Sequence, residues 1–479
     1  MTSFALIFIL VVPAIGMALL ALIANYRIGS TLNVLLSATA FAGACLLFWA
    51  PMQAGSFFLI DSFNIYLVAL NSFVGLTTSI FSATYIAHEL EEGNLTPISL
   101  RFYHALYQAM MIAMSLALLT NNLGLMWVGI EIATLSTVVM VGIYRTPQAI
   151  EAAWKYFILG SVGIALAFFG TILLYLTAEG VLGEGIPAMT WSNLQENAAR
   201  FDPALLSLAF VFLLVGYGTK VGLAPLHAWL PDAHAEGPTP ISAVLSGLLL
   251  NVALYAVLRI KMIMAGNTDT IPAGLAMMIM GLTSLIFAAV MLYRRRDIKR
   301  LFAYSSIEHM GIITFAFGMG GPLANFAGLL HMTMHSLTKS GIFFAVGHIV
   351  QAKGTQKMSG ITGLAKSHPS LAWALGIGVL AIAGVPPFGV FTSEFLVVTT
   401  TFARQPVLAM ILALGIIIAF GALLMHLQKL LFGEPGGESH KVKASALPMF
   451  IHFALVLLAG LWLPPILVEW FKQVAEVLG

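Results

Sequence analysis

The sequence predicts an all-α polytopic membrane protein of about fourteen transmembrane helices, with two inverted five-helix repeats that each contain a proline-broken helix. Three observations carry this expectation. Of 479 residues, 59% are hydrophobic and only 9% charged, and the mean hydropathy is +0.95, whereas a soluble domain has about a quarter charged residues. Apolar runs of about 18 or more residues recur along the whole chain. Two of these runs are interrupted by proline at corresponding places, each beside a charged residue.

The runs begin near residues 4, 31, 62, 104, 122, 152, 204, 239, 272, 300, 323, 370, 406 and 446. The first, residues 4–24, lacks a basic start and a small-residue cleavage site, so it is expected to be a retained helix. Residues 1–103 then hold helices 1–3, residues 104–265 the first repeat (helices 4–8), residues 266–432 the second (helices 9–13) and residues 433–479 the last helix. This division places about fifteen Lys and Arg residues on one face: Arg27, Arg101, Arg145, Lys155, Arg294, Arg295, Arg296, Lys299, Arg300, Lys353, Lys357, Lys366, Lys429, Lys441 and Lys443. About five fall on the other: Arg200, Arg259, Lys261, Arg404 and Lys472. The richer face is expected in the cytoplasm, which puts both termini and the acidic loop 179–202 outside.

A net charge of +2 and the lack of a basic run interleaved with aromatics argue against nucleic-acid binding. The single Cys45 rules out an intrachain disulfide and any cysteine-ligated zinc or iron–sulfur site within the chain. No cofactor is expected here, and electron transfer would belong to other chains.

Five ionisable residues fall inside apolar segments: Glu131, Lys220, Glu308, Lys339 and Glu394. Each costs about 2.5–3.5 kcal/mol at the bilayer centre, so it is retained only where paired, hydrated or useful. The seventh segment, GYGTKVGLAPLHAWLPDAH, has Lys220 five residues before Pro225. In the twelfth, LAIAGVPPFGVFTSEFLVV, Pro386 and Pro387 precede Glu394. Proline removes a backbone donor and clashes with the preceding turn, so both helices are expected to break in the membrane. Simple kinks packed against neighbours are the alternative.

In segment eleven, His331, His335 and Lys339 stand at i, i+4 and i+8 and share one helical face. Such a stripe can pass protons, because histidine titrates near neutrality. The HxxxH spacing also suits a metal, although no third ligand is evident and none is assigned; a hydrogen-bonded structural stripe remains open as well. Glu131 has Lys220 as its natural partner. The pair is either a switch, in which moving the glutamate releases the lysine's proton, or a static lock between two helices. Tyr304, Ser305, Ser306, Glu308 and His309 extend polarity from the basic cluster RRRDIKR into segment ten, where Glu308 is expected near Lys339. His227, Asp232 and His234 flank the loop after the first break, either feeding protons into it or bracing it.

The stretches GTKVGLAPLHAWLPDAHAEGPTPISAVLSGLLL, DIKRLFAYSSIEHMG, HMTMHSLTKSGIFFAVGH and GVPPFGVFTSEF resemble the proton-conducting antiporter-like subunits of respiratory complex I, Mrp-type antiporters and membrane-bound hydrogenases. The likeness runs over about residues 61–432. It implies that Glu131 and Lys220 form the charge pair of one half-channel, that Lys339 and the nearby histidines continue a central hydrophilic axis, and that Glu394 lies at the exit half-channel. SSIEHMG and Asn251 are similar to the F subunit of hydrogenase-4 and formate hydrogenlyase-type complexes. Complex I relatives usually carry lysine where Asn251 stands, a departure that removes one titratable relay. The end soon after the fourteenth segment suggests an inner or compact member.

The resemblance implies proton translocation in a prokaryotic plasma membrane. Expected partners are other membrane subunits, further antiporter-like chains, and hydrophilic subunits with iron–sulfur and nickel–iron centres. An Mrp-like cation/proton antiporter and a non-pumping scaffold are the other readings. No phosphate-binding loop or dinucleotide fingerprint offers a different energy source.

Overall fold

The computed structural model describes residues 1–440 and 445–479, so Lys441 and Lys443, counted above on the basic face, lie outside the described residues. The chain is helical nearly throughout. Its helices are α1 (Thr2–Leu20), α2 (Tyr26–Trp49), α3 (Ser62–Glu91), α4 (Pro97–Leu119), α5 (Leu123–Val141) and α6 (Pro147–Leu182), followed by the short α7 (Trp191–Asn197). Next come α8 (Pro203–Val221), α9 (Trp229–Glu236), α10 (Thr239–Ala265), α11 (Ala273–Leu292), α12 (Ile298–Met319) and α13 (Pro322–Lys353). The chain continues with α14 (Pro369–Ile382), α15 (Gly389–Arg404), α16 (Pro406–Leu431), α17 (Leu447–Leu461) and α18 (Pro465–Val477). A two-stranded antiparallel ribbon, pairing Gln53–Ala54 with Leu59–Ile60, is a small departure from the all-helical expectation.

Among the described residues, ten helices are long and apolar enough to cross a membrane, and α17 with α18, bent by 82°, adds an eleventh. Adding α12, α13 and the broken pair α14 and α15 gives fourteen segments, at the positions the apolar runs predict. These three are less apolar or interrupted because they carry the buried polar residues and the second proline break.

Short polar residues cap several helix starts. Asn122, Thr146, Asp202 and Asp297 accept the amides of Leu125, Ala149, Leu205 and Arg300 at 3.1, 3.1, 2.7 and 2.9 Å, so buried helix starts are not left with orphan donors. Both expected breaks are present. Helix α8 stops at Gly222, whose φ of 80° suits glycine, and cis Ala224–Pro225 leads into α9. Helix α14 stops before Gly384, with φ of 69°, and cis Pro386–Pro387 leads into α15.

Helix α10 is the axis of the bundle, buried on every side. Small residues bring its neighbours close. A Cβ on Gly216 of α8 would stand 2.6 Å from the Gly163 carbonyl of α6, and one on Gly281 of α11 would stand 2.6 Å from the Gly311 carbonyl of α12. The first contact sets α8 against α6; the second fixes α12, which carries Glu308 and His309.

Two cations assigned to the sparse face are not surface residues. Arg259 is fully buried and Lys261 nearly so. Arg259 Nη2 lies 2.7 Å from Asp61 Oδ2, between the rings of Trp191 (4.4 Å), Tyr255 (4.8 Å) and Phe63 (5.4 Å). Asp61 also caps α3 through Asn64. Charge sorting by sequence places a cation at a helix end but cannot see a carboxylate brought to it from almost 200 residues away.

Candidate functional site

Lys220 is the second-last residue of α8, where the last carbonyls of the helix present partial negative charge to its ammonium. Its side chain is fully buried, and Nζ lies 3.9 Å from Glu131 Oε2 of α5. Neither atom has a hydrogen-bond partner among the described residues. At this separation the attraction is about 4 kcal/mol for an effective dielectric of 20, close to the insertion cost of a single ion.

Aromatic packing holds this arrangement. Tyr156 places its ring 5.8 Å from Lys220 Nζ and stacks on Trp229 at 4.3 Å, and Trp229 Nε1 donates to the Thr219 carbonyl at 2.8 Å. Gly160 leaves the space for the ammonium, since a Cβ there would stand 2.7 Å from Nζ. Gly160→Ala is expected to push the lysine aside, because its flexible end yields more easily than a helix. Proton translocation should fall severalfold while stability changes by less than about 1 kcal/mol, measured by proton uptake and thermal melting of the same preparation.

A second polar group joins α12, α13 and α15. His331 Nδ1 is 2.8 Å from Ser393 Oγ, and Ser393 Oγ donates to the Val390 carbonyl at 2.8 Å. A hydroxyl has one hydrogen, so Ser393 accepts from His331 Nδ1–H and leaves Nε2 of that ring with its lone pair. His309 Nδ1–H donates to this lone pair at 3.0 Å. The bare Nε2 of His309 then faces Glu308 Oε2 at 3.4 Å, while Glu394 Oε1 lies 3.8 Å from His309 Nδ1. The hydrogen-bonded series runs from His309 through His331 to Ser393 of α15, with the Glu308 and Glu394 carboxylates against His309.

The ligand atoms of His309, His331 and Glu394 lie within 4.8 Å of one another. On a tetrahedral metal, nitrogens at about 2.0–2.1 Å from the ion stand roughly 3.3 Å apart, so the 3.0 Å between the two imidazoles fits an N–H···N bond better. The HxxxH pair itself does not converge. His335 is buried, its ring 5.6 Å from that of His309, and neither of its nitrogens finds a partner among the described residues.

Lys339 is fully buried but does not meet Glu308 in an ion pair. Its Nζ donates to the Phe302 carbonyl at 2.9 Å and lies 5.6 Å over the Phe302 ring. Glu394 packs against Gly384, where any Cβ would overlap its carboxylate. His227 is buried beside the first break with its ring against Phe287 at 4.5 Å, away from the charge pair. Asp232 braces the surface, with Lys155 and Arg300 each at 3.1 Å, and His234 stacks on Phe343 at 4.9 Å. Pro225, Pro386 and Pro387 mark the two breaks. Asn251 donates to Ser336 Oγ at 2.6 Å, and no direct hydrogen bond links the Lys220 group to the histidine group among the described residues.

His309 is the hub of the second group, yet the sequence marks it only as polarity continuing past Glu308. Ser393, Tyr156 and Gly160 carried no signal as site residues. Their roles come from contacts between helices far apart in the chain.

Residues 120–419 match the NADH:quinone oxidoreductase/Mrp antiporter transmembrane family. The chain is 60% identical over 470 residues to the hydrogenase-4 component F homolog of Methylacidiphilum infernorum, covering 98% of this chain and 99% of that one. In fold it is similar to a chain of the membrane-bound sulfane sulfur reductase, an archaeal respiratory membrane complex, with a TM-score of 0.88, 21% identity and coverage of 99% and 97%. A chain of the Mrp complex from Dietzia sp. gives a TM-score of 0.85 at 19% identity, covering 100% and 98%.

Proposed function

Because this chain belongs to the NADH:quinone oxidoreductase/Mrp antiporter transmembrane family, we propose that it moves protons as an antiporter-like subunit of a hydrogenase-4 or formate hydrogenlyase-type complex. The observation that carries this reading is the Glu131–Lys220 pair: 3.9 Å apart, the lysine fully buried and the glutamate half-buried, and without a hydrogen bond between the facing atoms and any other group among the described residues. A lock between helices gains most from direct, hydrogen-bonded contact, whereas a pair held at this distance responds to movement.

Lys220 takes up and releases a proton as Glu131 approaches and withdraws. His309 passes protons between Glu308, 3.4 Å away, and Glu394 of α15, 3.8 Å away, with His331, His335 and Lys339 as relays beside it and Glu394 exchanging the proton at the far side. His227 lies beside the first break and serves the entrance. The two halves, residues 104–265 and 266–432, repeat one design, each with a Gly/Pro-broken helix next to its charged residue. Asn251 cannot titrate, so water carries the proton between them.

Energy comes from redox chemistry in partner subunits that hold iron–sulfur and nickel–iron centres, with further antiporter-like chains alongside. The protein sits in the prokaryotic plasma membrane with its arginine-rich end in the cytoplasm and both termini outside. The test is redox-driven proton uptake by the complex in proteoliposomes, with and without sodium. Glu131→Gln should lower uptake at least tenfold with assembly intact, and sodium should have no effect. Sodium-dependent uptake would instead mark a cation/proton antiporter, and unchanged uptake a passive scaffold.

A further inference from the structure

At one end of the bundle, residues 294–300, residues 356–362 and the last turn of α16 enclose an open cleft of about 960 Å³. Its walls carry Arg294, Arg295, Arg296, Arg300, Lys357 and Lys429 against two acids, Glu236 and Asp297. Both acids are already engaged. Arg300 binds Glu236 at 3.3 Å and Asp232 at 3.1 Å, and Asp297 accepts the Arg300 amide as the cap of α12. Arg295 lies over the Tyr304 ring at 4.5 Å and donates to the Met291 carbonyl. Arg294, Arg296, Lys357 and Lys429 form no ion pair among the described residues, and all four are exposed. A topological bias needs cations only somewhere along this edge; it does not require them to converge on one concave surface.

The cleft opens directly onto apolar helix surface. His426 Nε2 bonds the Leu292 carbonyl at 3.0 Å and ties the end of α16 to the end of α11. Below that junction Val290 of α11 is 53% exposed and Ile417 of α16 is 65% exposed, with Phe420 and Tyr293 between them and the cleft. Tyr293 lies against Gly421, where a Cβ would be 2.8 Å from its hydroxyl. A cationic mouth continuous with an exposed apolar strip matches one molecule in both halves: phosphate in the mouth and acyl chains along the strip.

We propose that this cleft binds the phosphodiester headgroup of an anionic phospholipid, with its chains lying along α11 and α16. Guanidinium groups suit the site because each can give two parallel hydrogen bonds to phosphate oxygens. The inference does not depend on proton movement through the chain.

The full-length chain, stripped of lipid in detergent and offered phosphatidylglycerol or cardiolipin beside phosphatidylcholine, tests this by native mass spectrometry. The anionic lipid should be retained preferentially. Arg294→Gln with Arg296→Gln and Lys429→Gln should weaken retention about a hundredfold, at a factor of about five for each cation. Lys357→Gln, on a different segment, should weaken it alone by about fivefold, which guards against misfolding of the triple variant. Arg27→Gln with Arg101→Gln, which removes two cations elsewhere, should change nothing. Equal retention of phosphatidylcholine, or full retention by the triple variant, overturns the proposal. Displacement by millimolar inorganic phosphate overturns the lipid in favour of a free anion. An acidic segment of a co-purifying subunit cross-linked into the cleft would give the surface to a protein instead.

Discussion

Replacing Lys220 by methionine is expected to reduce redox-driven proton translocation at least about a hundredfold, while the complex still assembles. Methionine has nearly the same length and no proton to exchange, and the Glu131 carboxylate it leaves without a partner keeps 18% side-chain exposure through which it can be hydrated. The more informative partner is Lys220→Arg. Arginine keeps the positive charge and can still face Glu131, but a guanidinium does not give up its proton in a protein. A switch therefore loses translocation in both variants, whereas a static lock keeps it in the arginine variant. Proton uptake per electron in proteoliposomes separates the two. Translocation that survives Lys220→Arg at the wild-type level ends the switch account of the 3.9 Å pair.

The second large effect is on stability and lies away from the Lys220 and histidine groups. Asp61→Ala is expected to destabilise the protein by about 3–5 kcal/mol, because it leaves the Arg259 guanidinium buried and unpaired among three aromatic rings. It also removes the cap of α3 and the ion pair that joins α3 to α10. Asp61→Asn with Arg259→Met should lose much less, since no charge is then stranded and the amide can still cap the helix. Thermal melting of the purified chain in detergent, done as a double-mutant cycle, measures the coupling. Additive losses in the cycle would show that the pair does not act as a unit.

Much of the architecture was legible along the chain because bilayer-spanning helices satisfy their own backbone groups, and their length and apolarity are local properties. The fourteen segments begin close to where the apolar runs begin. The two breaks follow from Pro225 and from Pro386 with Pro387, and the glycines just before them take the left-handed turns that end each helix. The Glu131–Lys220 pair was readable for a related reason. An ion inside an apolar run needs a counter-ion, and the first half of the chain offers few candidates.

The histidine group shows where this reasoning stops. Helical spacing correctly puts His331, His335 and Lys339 on one face of α13, but spacing does not say what that face meets. His331 bonds His309 of α12 and Ser393 of α15, Lys339 turns to the Phe302 carbonyl rather than to Glu308, and His335 finds no partner among the described residues. Arg259 was misread for the same reason, since its carboxylate partner comes from the start of α3. By itself the sequence determined the membrane as solvent, the helices and their breaks, and the set of charges that need an explanation, all through preferences that act within a few turns. Only the tertiary structure decided which of those charges face one another, because hydrogen bonds and ion pairs depend on distances between helices that no single helix encodes.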